Sequence, residues 1–131
     1  MNTRTCKAKG RRFQQEVRDK ILELFPQLTS RDVISTSMGD TGEDIKLSEA
    51  AVKLFPYSVE CKNQERLNIW AGIKQMEGDN RNLTPLLVFK KNRTPAYCAL
   101  KFEDFMVLVH TLKIAKAIMD SKTWSENESF I

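Results

Sequence analysis

Residues 57–62 alternate between apolar and polar side chains, and this alternation constrains the fold more than any other feature of the chain. Successive side chains of an extended strand point to opposite faces. One face would carry Tyr57, Val59 and Cys61, and the other Ser58, Glu60 and Lys62. The pattern predicts a strand that packs an apolar face on a core and presents a carboxylate beside an ammonium group near its end.

The surrounding pattern predicts a mixed α/β fold. Helices are predicted from residue 10 to the residues before Pro26, over residues 68–77 and over residues 102–119. Strands are predicted over residues 32–37, 44–48, 52–61, 86–89 and 96–100. This order of elements closes most naturally as a mixed sheet with helices on its faces. The length of 131 residues indicates a single domain, residues 1–131.

Composition excludes several other classes of protein. No segment is apolar over the length of a membrane span, and the N-terminus lacks the apolar stretch of a signal peptide, so we expect a cytoplasmic protein without a membrane partner. The three cysteines have no CxxC spacing, which argues against a disulfide framework or a zinc ribbon. A single histidine, His110, effectively excludes a histidine-metal nuclease and a Ser-His-Asp hydrolase.

The positive charge is concentrated in residues 1–12 and in a second basic group, Lys90, Lys91, Arg93 and Lys101. We interpret residues 1–9 as a flexible basic arm and residues 120–131 as an acidic tail. Basic clusters can neutralise phosphates, although a solvated surface explains the same charges equally well. Read as a nucleic-acid surface, the candidate DNA-binding residues are Arg4, Lys7, Lys9, Arg11, Arg12, Ser37, Lys90, Lys91 and Arg93.

Two carboxylates could meet at the predicted strands. If the strands over residues 44–48 and 52–61 pair as a hairpin, Asp44 and Glu60 converge on one point. Two carboxylates suit a hard cation such as Mg²⁺, and the backbone carbonyl of Cys61 could be a further ligand. Such a cation can polarise a phosphodiester and lower the pKa of a bound water, while Lys62 would stabilise the developing negative charge or help to orient the nucleophile.

Two predicted helices add polar candidates for the same site. Glu16 lies at the border of the apolar stripe of the first helix and could reach the metal directly or through water. Gln75 lies above two small residues of the second predicted helix and could position a water. Taken alone, a glutamate at the border of a helix stripe or a glutamine on a helix is more often an ordinary surface residue. The hypothesis rests on their combination in this order along the chain.

The ordered set Glu16, Asp44, Glu60–Cys61–Lys62 and Gln75 resembles the PD-(D/E)xK nuclease superfamily, with Glu43 where the motif has proline. Residues 10–16 are similar to the first helix of archaeal-type Holliday junction resolvases, including similar phage enzymes. The resemblance implies a restriction-endonuclease-like fold, that is, a mixed central β-sheet flanked by helices. It also implies metal-dependent hydrolysis of DNA that leaves 5′-phosphate ends.

The resemblance assigns roles as well. By this resemblance Asp44 and Glu60 would be metal ligands, Lys62 would be catalytic and Glu16 would be an auxiliary ligand, while Gln75 matches a more variable glutamine of the superfamily. The expected cofactor is Mg²⁺, with Mn²⁺ as a substitute, and the expected partners are branched DNA and a second copy of the chain. If the chain is encoded by a phage, it would act in the host cytoplasm.

Two alternatives stay open at this stage. One is a nicking, flap-processing or restriction-like nuclease with the same chemistry, and the other is a catalytically silent DNA-binding module.

Overall fold

The computed structural model describes residues 3–36, 43–78 and 81–128, with side chains up to residue 122. Its contacts define two compact units, residues 1–99 and residues 100–131, which are described separately. The first unit contains α1 (Thr3–Leu24), β1 (Val33–Ser35), β2 (Ile45–Leu47), α2 (Glu49–Leu54), β3 (Tyr57–Asn63), α3 (Ile69–Gly78), β4 (Thr84–Lys90) and β5 (Tyr97–Ala99). The second unit contains α4 (Phe102–Glu128).

A three-stranded mixed sheet organises the first unit. Strand β4 pairs in parallel with β3 on one side and antiparallel with β5 on the other. Strands β1 and β2 form a separate antiparallel pair. The start of the β2 segment approaches β3, where the backbone N–H of Asp44 donates to the carbonyl of Val59 over 3.3 Å. This mixed sheet with flanking helices confirms the predicted restriction-endonuclease-like fold class.

The two faces of β3 are covered by different helices. On one face, Val59 and Cys61 join Phe13 and Ile21 of α1 in the main apolar core. On the other face, α3 packs against β3 and β4. A Cβ atom on Gly72 would lie 3.2 Å from Cδ2 of Leu87, so this glycine lets the helix approach the sheet closely. Leu87 lies opposite Glu60 in the register and shares its face of the sheet.

The predicted hairpin between residues 44–48 and 52–61 is wrong. Residues 49–54 form the short helix α2, and β2 pairs with β1 instead of β3. Ser48 caps this helix, because its Oγ accepts the backbone N–H of Ala51 over 3.1 Å. A helix of six residues is too short to show a clear apolar period, so the sequence there reads as a continuation of the following strand.

Both terminal helices are longer than predicted. Helix α1 begins at Thr3 instead of residue 10, so most of the segment that we expected to be a flexible arm is helical. Helix α4 extends to Glu128, beyond the predicted end at residue 119 and into the expected acidic tail. The extra turns of α1 consist of basic, polar and small residues, with Arg4 and Lys7 exposed, and carry no apolar period by which a helix could be recognised.

Within the part of the chain that the structure describes, no helix is both apolar enough and long enough to cross a lipid bilayer.

Candidate active site

Asp44 and Glu60 lie side by side, although not through the predicted hairpin. The carboxylate Oδ2 of Asp44 accepts the backbone N–H of Cys61 over 2.7 Å. Together with the bond from the N–H of Asp44 to Val59, this fixes Asp44 against the middle of β3. Its carboxylate then lies close enough to that of Glu60 for the charge of Asp44 to raise the pKa of Glu60. Two backbone hydrogen bonds therefore bring together the acids that the sequence pattern selected.

The environment of this pair disfavours negative charge. Glu60 is only 7% exposed, and its pKa is raised to about 7, first by burial and then by the charge of Asp44. Burial also raises the pKa of Asp44, against the lowering effects of the Cys61 N–H and of Lys62. The ammonium Nζ of Lys62 lies 3.7 Å from Oε1 of Glu60 and offsets only part of the cost. A positive ion would relieve the remainder.

These residues fit a hard divalent cation of the magnesium type. Such ions bind through one or two carboxylates and keep several waters, so they need no closed protein cage. Within the described residues, no cluster of three or more histidine, cysteine or acidic side chains could hold a metal. The two carboxylates and the Cys61 carbonyl match the open arrangement. The Cys61 thiol is buried in the core and burial raises its pKa, so this residue could contribute only its backbone oxygen.

The structure does not bring Glu16 into this group. Glu16 is exposed and lines a cavity with Asn63 and Lys90 on the α1 face of the sheet. Since Asn63 follows Lys62 in the strand, this face is opposite to the one that carries Glu60 and Lys62. The role of Glu16 as a ligand stays a prediction, and the geometry offers it no support.

Gln14 is the buried polar residue of α1. It is 4% exposed, and its Oε1 accepts a hydrogen bond from the hydroxyl of Ser35 over 3.2 Å. Sequence reasoning missed it, although Gln14 lies seven residues, two helical turns, before the buried Ile21.

Gln75 makes no hydrogen bond to the acidic pair among the described residues. It is exposed on α3, whose buried residues are Gly72 and Met76. Its predicted role in positioning water is likewise untested by this arrangement.

Glu43, which occupies the proline position of the motif, is buried. Its Oε1 forms an ion pair with Nε of Arg81 over 2.6 Å, and its Oε2 has no hydrogen-bond partner among the described residues. Arg81 adopts a positive φ of 47°, a conformation that costs energy for a residue with a side chain. The pair joins the residue beside Asp44 to the turn before β4, a contact that no sequence pattern signalled.

Basic residues from both predicted clusters lie near the end of β3. Lys7 and Lys9 line a cavity of about 510 Å³ together with Lys62. Lys90, Lys91 and Arg93 line a neighbouring cavity of about 570 Å³. Arg4 and Arg11 are exposed on α1, and the exposed Arg12 lines the cavity of Glu16. Ser37 lies outside the described residues.

A family model described as "Phage putative PDDEXK endonuclease" matches residues 5–129. The chain belongs to this family. Membership confirms the predicted relation to PD-(D/E)xK nucleases and indicates an endonuclease, and nucleases of this kind typically use divalent metals. No curated protein and no solved structure matches the chain.

Proposed function

We propose that the chain is a Mg²⁺-dependent DNA endonuclease whose active centre comprises Asp44, Glu60 and Lys62. The observation that carries the proposal is the pairing of two carboxylates, one of them fixed by the Cys61 N–H, with an ammonium group 3.7 Å from Glu60. Asp44, Glu60 and the Cys61 carbonyl would hold the ion. Mn²⁺ would substitute for Mg²⁺, because it prefers similar oxygen ligands.

The residues of the site would have different roles in the reaction. A bound metal would polarise the phosphodiester and activate a water. Lys62 would donate hydrogen bonds to the phosphate oxygen on which negative charge develops. Lys7 and Lys9, which share a cavity with Lys62, would hold the DNA backbone at the site. The polar face of β3 would thus bind the scissile phosphate.

Glu16 and Gln75 are proposed to contribute less to cleavage than the acidic pair and Lys62. Because both side chains are exposed, they would act on bound DNA or water. Glu16→Ala and Gln75→Ala should each lower the cleavage rate by less than about tenfold, well below the effect expected for a metal ligand. For Glu16→Ala, a loss as large as that of Glu60→Ala would support the predicted role of Glu16 as a direct ligand.

As the substrate we propose branched DNA, with the four-way Holliday junction as its leading form and DNA recombination and repair as the setting. The similarity of residues 10–16 to the first helix of archaeal-type resolvases supports this choice. Symmetric cutting of two strands requires two active sites, so we propose a homodimer. Trp70, which is 76% exposed, and the exposed apolar side chains of α4 are candidate contact surfaces. The host cytoplasm is the proposed location.

Cleavage of a four-way junction, compared with linear duplex, nicked duplex and single-stranded DNA, tests the proposal. We expect preferential cutting of the junction with Mg²⁺ or Mn²⁺ and none with EDTA. Lys62→Ala should bind DNA without cutting it, while Lys53→Ala, an exposed lysine on α2, serves as the matched control.

Two other outcomes would replace the proposal. Equal cutting of all four DNAs would leave a nuclease but reject the resolvase, in favour of a nicking, flap-processing or restriction-like enzyme. Binding without cutting under every divalent metal would indicate a catalytically silent DNA-binding module.

A further inference from the structure

A cavity of about 570 Å³ lies where β3 and β4 end and where β5 and α3 begin. Its volume falls within the range of small-molecule sites, roughly 300–1,000 Å³. Apolar and aromatic side chains form much of its wall, among them Leu67, Ile69, Phe89 and Tyr97. The acidic pair does not line this cavity, so the cavity needs its own explanation.

The register of the sheet connects the cavity to the active centre. Lys62 lies opposite Phe89, and Phe89 lies opposite Tyr97, so the three side chains form a row on one face. Neighbouring strands are about 4.8 Å apart, which puts the strand of Tyr97 roughly 10 Å from that of Lys62. A DNA strand whose phosphate lies at Lys62 could therefore reach the cavity with an adjacent nucleotide.

The aromatic wall offers a surface for stacking. The ring centroids of Phe89 and Tyr97 are 6.2 Å apart, with an angle of 31° between the planes. Tyr97 is 59% exposed, so its ring is open to a ligand. All four nucleobases can stack on such a ring, so the contact does not depend on the DNA sequence.

A basic turn borders the same cavity. Thr94 closes the turn, because its backbone N–H and its Oγ1 both donate to the carbonyl of Lys91. The carboxylate of Glu65 accepts the backbone N–H of Asn92 over 2.9 Å, which ties the turn to the end of β3. Arg93 is held at φ 63° within this turn. A residue other than glycine in the left-handed region costs about 1 kcal/mol or more and points to a functional constraint.

We propose that this cavity receives one unpaired nucleotide of the DNA substrate. Its base would stack on Tyr97, and its phosphate would contact Lys91 and Arg93. A base within a duplex keeps its stacking and pairing, so the cavity would select DNA with unpaired nucleotides near the cleaved bond, such as gaps, flaps and open branch points. The inference rests on the proposed function and adds the substrate feature that the chain recognises.

The test measures DNA binding without cleavage. The full chain is titrated in EDTA against two duplexes of equal length, one fully paired and one with a three-nucleotide gap that contains 2-aminopurine. Wild-type protein should bind the gapped DNA more tightly and change the 2-aminopurine fluorescence through stacking. Tyr97→Leu should lose that preference, because stacking on an aromatic side chain contributes roughly 5- to 150-fold per base.

Matched variants separate stacking from folding and from charge. Tyr97→Phe keeps the ring and should retain both the preference and the fluorescence change. Arg93→Gly removes a phosphate contact and the left-handed strain together, so it should bind more weakly while unfolding at the same or a higher temperature. Lys53→Ala should bind as the wild type does.

The outcomes distinguish this inference from the proposed function. If Tyr97→Leu keeps the preference for gapped DNA and the fluorescence change, the cavity does not hold the nucleotide, even where Mg²⁺-dependent cutting is intact. Selective binding that depends on Tyr97 without cleavage under any metal would support the cavity and overturn the nuclease. Absence of DNA binding would overturn both.

Discussion

The two faces of β3 are formed by alternating residues, but one face buries apolar side chains and the other buries polar and charged ones. Toward α1 the strand presents Val59, which is 2% exposed and packs in the main core. Toward α3 it presents Ser58 and Glu60, which are 3% and 7% exposed, and then Lys62. One face buries apolar surface and stabilises the fold. The other buries a carboxylate next to a second carboxylate, which costs free energy in the absence of a cation.

The comparison shows where stability and activity reside in this strand. A buried acid whose pKa is raised by burial and by a like charge is typical of functional sites. The α1 face must then supply the stability that the polar face lacks. Substitutions on the two faces should consequently separate cleavage from folding.

The largest expected effect is that of Glu60→Gln on DNA cleavage. We expect the rate with saturating Mg²⁺ to fall by about 1,000-fold or more, since a neutral amide binds the ion poorly. Without metal at pH 8, the variant should unfold at a temperature no lower than that of the wild type, because a like-charge contact is removed. Single-turnover cleavage and thermal unfolding measure the two quantities. A large loss of stability together with activity would mean that the polar face also maintains the fold.

Next in size is the effect of Val59→Ala on stability. Removing two methyl groups from a fully packed site should lower the free energy of unfolding by about 2 kcal/mol. Denaturant unfolding measures this change. Cleavage per folded molecule should stay within about threefold of the wild type, because the polar face is unaltered. A selective loss of activity would show instead that this packing also positions Glu60.

A smaller effect is expected from pH on the metal-free protein. The pKa of Glu60 is about 7 in the folded chain against 4.5 for an ordinary glutamate, so the folded state binds more protons between these values. The free energy of unfolding should therefore fall as the pH rises from about 4.5 to 7 and then level off. Asp44, whose pKa is also raised, adds to this trend from its ordinary value upward. In Glu60→Gln the slope between pH 5 and 7 should be shallower, and an unchanged slope would contradict the assignment.

Local patterns predicted the features that depend on neighbours in sequence. The alternation of residues 57–62 identified the strand, and the position of Asp44 before a short strand identified its partner acid. The pattern failed where a structure is short or set by distant contacts. Helix α2 is too short to show an apolar period. The pairing of β2 with β1 depends on contacts between residues distant in sequence, which a local sequence pattern does not indicate.

The phase of α1 shows the same limit for the site. Phe13, Val17 and Ile21 place Glu16 at the border of the apolar stripe, but Gln14 is the polar residue that is buried. A shift of two positions in a helix turns a side chain by more than half a turn. The spacing of apolar residues locates the apolar stripe of α1 but not its exact borders. It could therefore not show whether Glu16 or Gln14 is the buried polar residue.

The smallest predicted effect concerns the second buried acid, Glu43, whose contact with a cation is shorter than that of Glu60, 2.6 Å against 3.7 Å. Arg81→Ala would leave the Glu43 carboxylate buried without its partner and should lower the free energy of unfolding by about 1–2 kcal/mol, because Arg81 is half exposed. Arg81→Gly removes the same ion pair but also relieves the positive φ of 47°. It should therefore be more stable than Arg81→Ala by up to about 1 kcal/mol.

A double-mutant cycle with Glu43→Gln isolates the contribution of the ion pair itself. If the pair only satisfies the charge of Glu43, the coupling appears in stability, and cleavage per folded molecule stays unchanged in all variants. If it also holds Asp44 in place, Arg81→Ala should weaken Mg²⁺-dependent protection against unfolding, whereas Val59→Ala should not. Equal metal protection in the two variants would confine Glu43 and Arg81 to a structural role, and Glu60 would then be the buried glutamate beside Asp44 that acts on the metal.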